Sequence, residues 1–170
     1  MVTHAELVDI AARWLRTAAG CTVVMPEMSV VCRTGEIPDA IGFRGNATIL
    51  IECKTSRADF FADRAKSFRQ MPERGMGALR YMLAPAGMIK VEELPARWGL
   101  IEAIGNGAVR VHGANPKQWE GVWGDFYHAE RATDCEARIL LSGLNRIRVA
   151  LGEPEFRRCL KTRLASKVIA

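Results

Sequence analysis

The chain is poor in the residues that nucleophilic and zinc chemistry require. Its 170 residues include three histidines, which lie too far apart to indicate a zinc site by spacing. There is no G-x-S-x-G motif for a serine nucleophile and no glycine-rich phosphate loop of the P-loop type. The five cysteines include no C-x-x-C pair, which favours reduced thiols in a cytoplasmic protein. These absences argue against serine hydrolases, zinc enzymes and P-loop nucleotide hydrolases.

A long apolar run is also missing, so we expect no membrane-spanning segment and no membrane partner. Hydrophobic residues make up 49% of the chain and charged residues 25%, a balance that is typical of a globular domain with a buried core. The formal net charge is +5, which is modestly basic and fits a polyanionic partner such as a nucleic acid.

Hydrophobic periodicity and turn residues predict an alternation of helices and strands. We predict helices over residues 4–18, 57–70, 130–151 and 153–168, and strands over 21–25, 28–32, 39–43, 48–54, 79–84, 88–91, 100–104 and 108–112. The Gly-Asn-Gly sequence between the last two strands predicts a hairpin. The predicted fold class is α/β, with a mixed central sheet flanked by helices. We expect a core over residues 1–113, followed over 114–170 by a connector and a C-terminal helical extension that packs on the core.

Two carboxylates and one ammonium flank an apolar stretch in the first half of the chain. Asp39 follows Pro38 at the start of one predicted strand, and Glu52 and Lys54 close the next strand. The run from Ala47 to Ile51 is apolar and rich in β-branched residues, which indicates a buried strand. Because side chains alternate along a strand, Glu52 and Lys54 share one face. Charges on such a strand are costly unless they pair with each other or bind a ligand.

This pattern has two interpretations. In the first, the charges form a structural ion pair at the end of a strand. In the second, the two carboxylates hold a divalent cation, since Mg²⁺ prefers carboxylate oxygens and keeps several of its waters. Such an ion supplies the charge and the activated water that phosphodiester hydrolysis requires. Lys54 would then add a compact positive charge beside the ion.

The order of the predicted elements, together with the Pro-Asp and Glu-x-Lys pattern, resembles the PD-(D/E)XK nuclease superfamily over residues 4–84. Within that superfamily the chain looks closest to the small resolvase-like and DNA-repair-type members, in which a glutamate of the first helix joins the site. The resemblance implies a restriction-endonuclease-like core with the element order αβββαβ. The stretch after residue 84, where substrate choice in this superfamily usually resides, is not covered by the resemblance.

The resemblance also implies roles for individual residues. Asp39, Glu52 and the backbone carbonyl of Cys53 would coordinate Mg²⁺ or Mn²⁺. Lys54 would orient the attacking water or stabilise charge, and Glu6 on the first helix would complete the metal site.

Glu6 has both an alternative explanation and a competitor. A glutamate in the first turn of a helix is favoured by the helix dipole alone, without any ligand. Glu27, which follows Pro26, would take the place of Glu6 if the chain approached the site from that side.

Two predicted helices carry polar and basic residues that are candidates for contact with nucleic acid. They are Lys66, Arg69 and Gln70 on the helix after the site, and Arg157, Arg158 and Lys161 near the end of the chain. Basic side chains that neutralise phosphates give a salt-dependent affinity. The alternative for both groups is an ordinary solvated helix face.

The function that these observations predict is metal-dependent endonucleolytic cleavage of DNA, in repair, recombination or bacteriophage DNA processing. We expect a homodimer if both strands are cut, because two cuts need two sites. The alternative is a nucleic-acid- or partner-binding module on the same fold, without catalytic activity. RNA stays open as a substrate, because no residue in the pattern distinguishes the sugar.

Overall fold

The computed structural model describes residues 2–45, 47–118 and 120–162 and is built on one mixed sheet. The six strands follow each other across the sheet in chain order. They are β1 (Val23–Pro26), β2 (Ala40–Arg44), β3 (Ala47–Cys53), β4 (Leu79–Pro85), β5 (Gly99–Ile104) and β6 (Gly107–His112). The pairs β3–β4 and β4–β5 are parallel, and the other three pairs are antiparallel. The predicted α/β class with a mixed sheet is confirmed.

Helices cover the two faces of the sheet. They are α1 (His4–Thr17), α2 (Arg57–Asp63), α3 (Ser67–Gln70), α4 (Thr133–Leu151) and α5 (Glu153–Lys161). Gly152 separates the last two helices and has φ 74°, a value that glycine adopts at little cost. In the part of the chain that the structure describes, no helix is long and apolar enough to cross a membrane.

The helix α1 packs on the face of the sheet that carries Ile49 and Ile51. The side of α1 that faces the sheet includes Leu7, Ala11 and Leu15, which recur at helical spacing and are fully buried. Thr3 caps the helix by accepting a hydrogen bond from the backbone N–H of Glu6, an arrangement that stabilises a helix by about 1 kcal/mol.

The opposite face of the sheet packs against α2 and the first half of α4. Leu50 and Met82 from the sheet join Phe60 of α2 and Ile139 of α4 in one buried cluster. All seven residues of β3 are buried, since helices lie on both sides and strands on both edges. The end of β3 therefore carries its charged residues in the interior of the molecule.

The first half of α4 is tied to the sheet by polar contacts as well as apolar ones. The Glu136 carboxylate accepts hydrogen bonds from the Thr48 hydroxyl at 2.7 Å and from the Gly77 N–H at 2.8 Å. The second half of α4 is different, because Leu144 and Ile147 are about half exposed. The C-terminal extension thus consists of a part that packs on the core and a part that lies on the surface.

The predicted helix over 57–70 is wrong in its continuity, because α2 ends at Asp63 and α3 begins only at Ser67. In one unbroken helix, residues 63 and 69 would point roughly 120° apart. The break allows both Asp63 and Arg69 to turn into the interior, where they pair with each other. The buried aromatic residues of this segment are Phe60 and Phe68, whereas Phe61 is 42% exposed.

Two predicted strands are also absent from the described sheet. Residues 28–32 have no strand structure, since β1 ends at Pro26 and Glu27 turns the chain with φ 46°. Residues 88–91 form a turn that leads into a short 3₁₀ turn, Val91–Glu93. The hairpin over β5 and β6 is confirmed. The final helix ends at Lys161, and residues 163–168 of its predicted span lie outside the described residues.

Candidate active site

The β2–β3 register brings the two predicted metal ligands together. Ala40 pairs with Ile51, so the next position along the two antiparallel strands places Asp39 opposite Glu52. Residues directly opposite each other in an antiparallel pair point to the same face. Past the end of β2, the Asp39 side chain is tied to β3, because its Oδ2 accepts a hydrogen bond from the Cys53 N–H at 2.6 Å. Asp39 and Glu52 are therefore neighbours at one end of the sheet, and the Asp39 charge helps to raise the pKa of Glu52.

Glu52 is held in the interior, with 4% of its side chain exposed. Burial raises the pKa of Glu52 to about 7; the Arg69 cation opposes this shift and the Asp39 charge adds to it. Glu52 Oε1 lies 2.9 Å from Arg69 Nη2, but the two groups are not aligned for a directed hydrogen bond. A buried carboxylate oxygen without a directed donor retains an acceptor site for a further ligand.

Lys54 lies on the same face as Glu52 and is equally buried. Its Nζ atom is 3.2 Å from Asp63 Oδ1 and 3.5 Å from Glu52 Oε2. Burial on its own would lower the pKa of Lys54, but the nearby carboxylates of Glu52 and Asp63 outweigh it and raise the pKa above the usual value. Lys54 is therefore a charged ammonium fixed between two carboxylates.

Arg69 links these residues into a buried charge cluster, which consists of Glu36, Glu52, Lys54, Asp63 and Arg69. The guanidinium contacts Glu36 Oε1 at 2.6 Å, Asp63 Oδ2 at 2.6 Å and Glu52 Oε1 at 2.9 Å. These contacts keep the pKa of Arg69 above its usual value although burial acts in the other direction. Three carboxylates thus share two buried cations, and Lys66 adds a third cation from the surface, 2.6 Å from Asp63.

The prediction that Arg69 contacts nucleic acid is wrong. Its side chain is 1% exposed, and its guanidinium is surrounded by the carboxylates of the buried charge cluster. Lys66 is about half exposed and Gln70 is exposed, so both remain on the surface beside the site. For these two residues, contact with nucleic acid stays a prediction.

Sequence reasoning missed Glu36 and Asp63. Glu36 lies in a loop, where nothing in the local pattern distinguishes it from a solvated residue, and its second oxygen accepts a hydrogen bond from the Met76 N–H at 2.6 Å. Asp63 had a weak local signal, because a lysine follows it at three positions and an arginine at six. Spacing of i,i+3 favours an ion pair on a helix, and Lys66 does pair with Asp63.

The carboxylates of Glu6 and Glu27 have different surroundings. The Glu6 carboxylate accepts hydrogen bonds from the Thr3 N–H at 2.7 Å and the Thr3 hydroxyl at 2.8 Å, which lowers its pKa. It is thus occupied in capping α1. Glu27 is joined to Asp39 through His4, whose Nε2 lies 3.4 Å from Asp39 Oδ1 and 3.8 Å from Glu27 Oε1. The structure thus brings Glu27 near Asp39, and the place of Glu6 in a metal site stays a prediction.

The donors at this end of the sheet are oxygen atoms, which is the ligand type that magnesium prefers. In the described ranges, no three side chains of His, Cys, Asp or Glu are close enough to hold a metal on their own. Mg²⁺ does not need such a cage, because it is usually held by one or two carboxylates and several waters. Asp39 and Glu52 supply two carboxylates, and the Cys53 carbonyl lies next to them in the chain. Burial raises the pKa of the Cys53 thiol above its usual value.

The basic residues of α5 lie on the surface, away from the buried charge cluster. Arg157 pairs with Glu153 at 2.9 Å, and Arg158 pairs with Glu155. These two acids offset part of the positive charge of the helix. Lys161 is exposed and lines a shallow pocket together with the two arginines. The helix thus presents cations to solvent, and their contact with DNA stays a prediction.

Comparison with known proteins supports the fold and assigns no activity. No protein-family model and no curated protein matches the chain. Among solved structures, the chain is similar to a protein of unknown function from Silicibacter pomeroyi, with 27% sequence identity and a TM-score of 0.59. The similarity covers 91% of this chain and 94% of that chain. The arrangement of strands and helices is therefore shared over nearly the full length of both chains.

Proposed function

We propose that the protein is a metal-dependent endonuclease that hydrolyses phosphodiester bonds in DNA, with a core of the restriction-endonuclease type. The observation that carries this proposal is the placement of Asp39 opposite Glu52, with Lys54 on the same face two residues farther along. Such a group combines two oxygen ligands for a hard cation with one fixed ammonium.

The topology supports the same proposal. The strands β1, β2 and β3 form an antiparallel meander, and a crossover through α2 and α3 leads to β4, which is parallel to β3. The helix α1 covers the other face. This is the order αβββαβ that the resemblance implies, and the charged residues lie where β3 ends.

Each residue has a definite role in the proposed reaction. Asp39, Glu52 and the Cys53 carbonyl would hold Mg²⁺ or Mn²⁺, which when bound supplies positive charge to the phosphoryl oxygens and lowers the pKa of a bound water. Lys54 places an ammonium beside the reacting phosphate, where it orients the attacking water and stabilises the negative charge that develops. The interior position of Lys54 strengthens this electrostatic effect, because few waters screen it.

The test is to compare the wild-type protein with Asp39→Asn and Glu52→Gln, which remove charge with little change of shape. Cleavage of supercoiled plasmid and of branched, nicked and single-stranded DNA is measured with Mg²⁺, Mn²⁺ or EDTA. We expect metal-dependent cleavage in the wild-type protein and its loss in both variants. The matched control is Glu73→Gln, an exposed carboxylate that should leave cleavage unchanged. Full activity in either site variant would remove that residue from the mechanism.

Calorimetric titration with Mn²⁺ separates the proposed enzyme from a binding module on the same fold. The enzyme should bind the ion, and both Asp39→Asn and Glu52→Gln should weaken that binding. A protein that binds DNA but takes up no divalent ion and cuts no substrate would be a binding module, and the buried charge cluster would then be purely structural.

A further inference from the structure

We infer that Asp63 is a positioning residue for Lys54, so that the buried charge cluster serves the reaction as well as the fold. This inference rests on the proposed nuclease function. The role is to hold the Lys54 ammonium in place when the oxygens of Glu52 would be taken by a metal ion.

The two carboxylate oxygens of Asp63 have different partners. Oδ2 accepts a directed hydrogen bond from Arg69 Nε at 2.6 Å. Oδ1 faces the two lysines, with Lys54 Nζ at 3.2 Å and Lys66 Nζ at 2.6 Å. An aspartate that served only to neutralise Arg69 would not need its second oxygen placed within ion-pair distance of both Lys54 and Lys66. The side chain is 1% exposed, so these contacts replace water almost completely.

The Lys54 ammonium and the proposed metal ion would compete for Glu52. Lys54 has two carboxylate neighbours, and Asp63 is the nearer one, at 3.2 Å compared with 3.5 Å for Glu52. A carboxylate that binds a cation cannot hold the ammonium equally well, because both compete for the same lone pairs. Asp63 has no place in the predicted metal site, so its hold on Lys54 is independent of the state of Glu52.

Asp63 is the last residue of α2, and the helical structure is interrupted there until α3 begins at Ser67. This interruption allows the Arg69 side chain to reach Asp63 and donate a hydrogen bond to its Oδ2 atom. Arg69 in turn is held by Glu36, which is fastened to the Met76 N–H. The position of Asp63 is thus fixed by Arg69, and a residue that positions another side chain needs such support.

The principal variant is Asp63→Asn, which keeps the size of the side chain and removes its charge. In cleavage assays at saturating Mg²⁺ we expect kcat to fall by about 10- to 100-fold, because the ammonium is no longer fixed. The KM for DNA and the calorimetric affinity for Mn²⁺ should change by less than about 3-fold, since Asp63 touches neither ligand. The double variant with Lys54→Ala should be no slower than Lys54→Ala alone, which a general loss of structure would not produce.

A second measurement does not depend on activity. In metal-free protein with ¹⁵N-labelled lysine side chains, the Lys54 Nζ resonance, assigned with Lys54→Arg, should be separate from those of exposed lysines. In Asp63→Asn it should move toward them, because the contact with Asp63 is lost while the contact with Glu52 remains. The matched control is Asp59→Asn, an exposed carboxylate on the same helix whose charge also acts on Lys54. It should leave kcat unchanged and should shift the Lys54 signal much less than Asp63→Asn does.

The outcomes divide cleanly between the two proposals. If the wild-type protein cuts no DNA but the Lys54 resonance moves toward those of exposed lysines in Asp63→Asn, the nuclease function fails. The positioning of Lys54 by Asp63 then stands. If Asp63→Asn cuts at the wild-type rate, or keeps the Lys54 signal, the inference is overturned. Should Asp63→Asn fail to fold, Asp63→Glu retains the charge but moves it by one methylene. That variant is expected to fold and to lose kcat, and a wild-type kcat would also overturn the inference.

Discussion

Replacing Arg69 by methionine should be strongly destabilising, because it removes the cation that three buried carboxylates share. Methionine keeps the apolar stem of the side chain and deletes only the guanidinium. Removing one partner of a buried ion pair costs about 3–5 kcal/mol, since the remaining charge is left without compensation. The guanidinium also lies 4.5 Å from the ring of Trp98 and 4.8 Å from that of Phe68, contacts that contribute about 1 kcal/mol.

We therefore expect a loss of about 5 kcal/mol in the free energy of unfolding at pH 8. For a chain of this length, that corresponds to a drop in Tm of roughly 10–20 °C. The loss should shrink toward pH 6. The pKa of Glu52 is already raised to about 7, and without Arg69 it moves higher. An acid with a raised pKa in the folded state destabilises the fold most above that pKa, and it ceases to do so as pH falls and the group takes up its proton.

The assay is urea unfolding followed by tryptophan fluorescence at pH 8 and pH 6, for the wild-type protein and the variant. Arg69→Lys retains the charge but not the fork of donors, so it should lie between the two. The control is Arg157→Met on α5, an exposed arginine that should leave Tm nearly unchanged. A loss under about 1 kcal/mol, or one that is equal at both pH values, would refute the view that Arg69 compensates ionised carboxylates.

Two further predictions concern residues whose roles the sequence left open. Glu27→Gln should weaken Mn²⁺ binding in calorimetry more than Glu6→Gln does, because the Glu6 carboxylate is occupied by the helix cap; the reverse order would restore Glu6 to the metal site. Neutralising Arg157, Arg158 and Lys161 together should reduce the salt slope of DNA binding, measured by fluorescence anisotropy, by up to about 3. An unchanged slope would show that α5 makes no phosphate contacts.

Local pattern was sufficient for the strand that carries the site. The apolar, β-branched run of β3 predicts a buried strand, and the two-residue period of a strand puts Glu52 and Lys54 on one face whatever the rest of the chain does. The glycine-rich turn between β5 and β6 is equally local, since Gly105 has φ 57° and few other residues tolerate that value. Such features depend on neighbours in sequence, so the sequence shows them directly.

The surroundings of the site depend on contacts between distant parts of the chain. Glu36 and Arg69 are 33 positions apart, and their pairing requires both the loop before β2 and the break between α2 and α3. Helical periodicity placed Arg69 on a continuous solvated face, and the compensation of three buried carboxylates overrode that preference.

The surroundings of Glu6 and Glu27 depend on tertiary structure in the same way. Both are single glutamates near a predicted helix or strand end, and only the three-dimensional path of the chain tells which one approaches Asp39. The sequence by itself determined the strand, its alternation and the charges that face inward. The fold decided which other charges meet them, because a buried ion takes its partners from whatever packing brings within a few ångströms, regardless of distance along the chain.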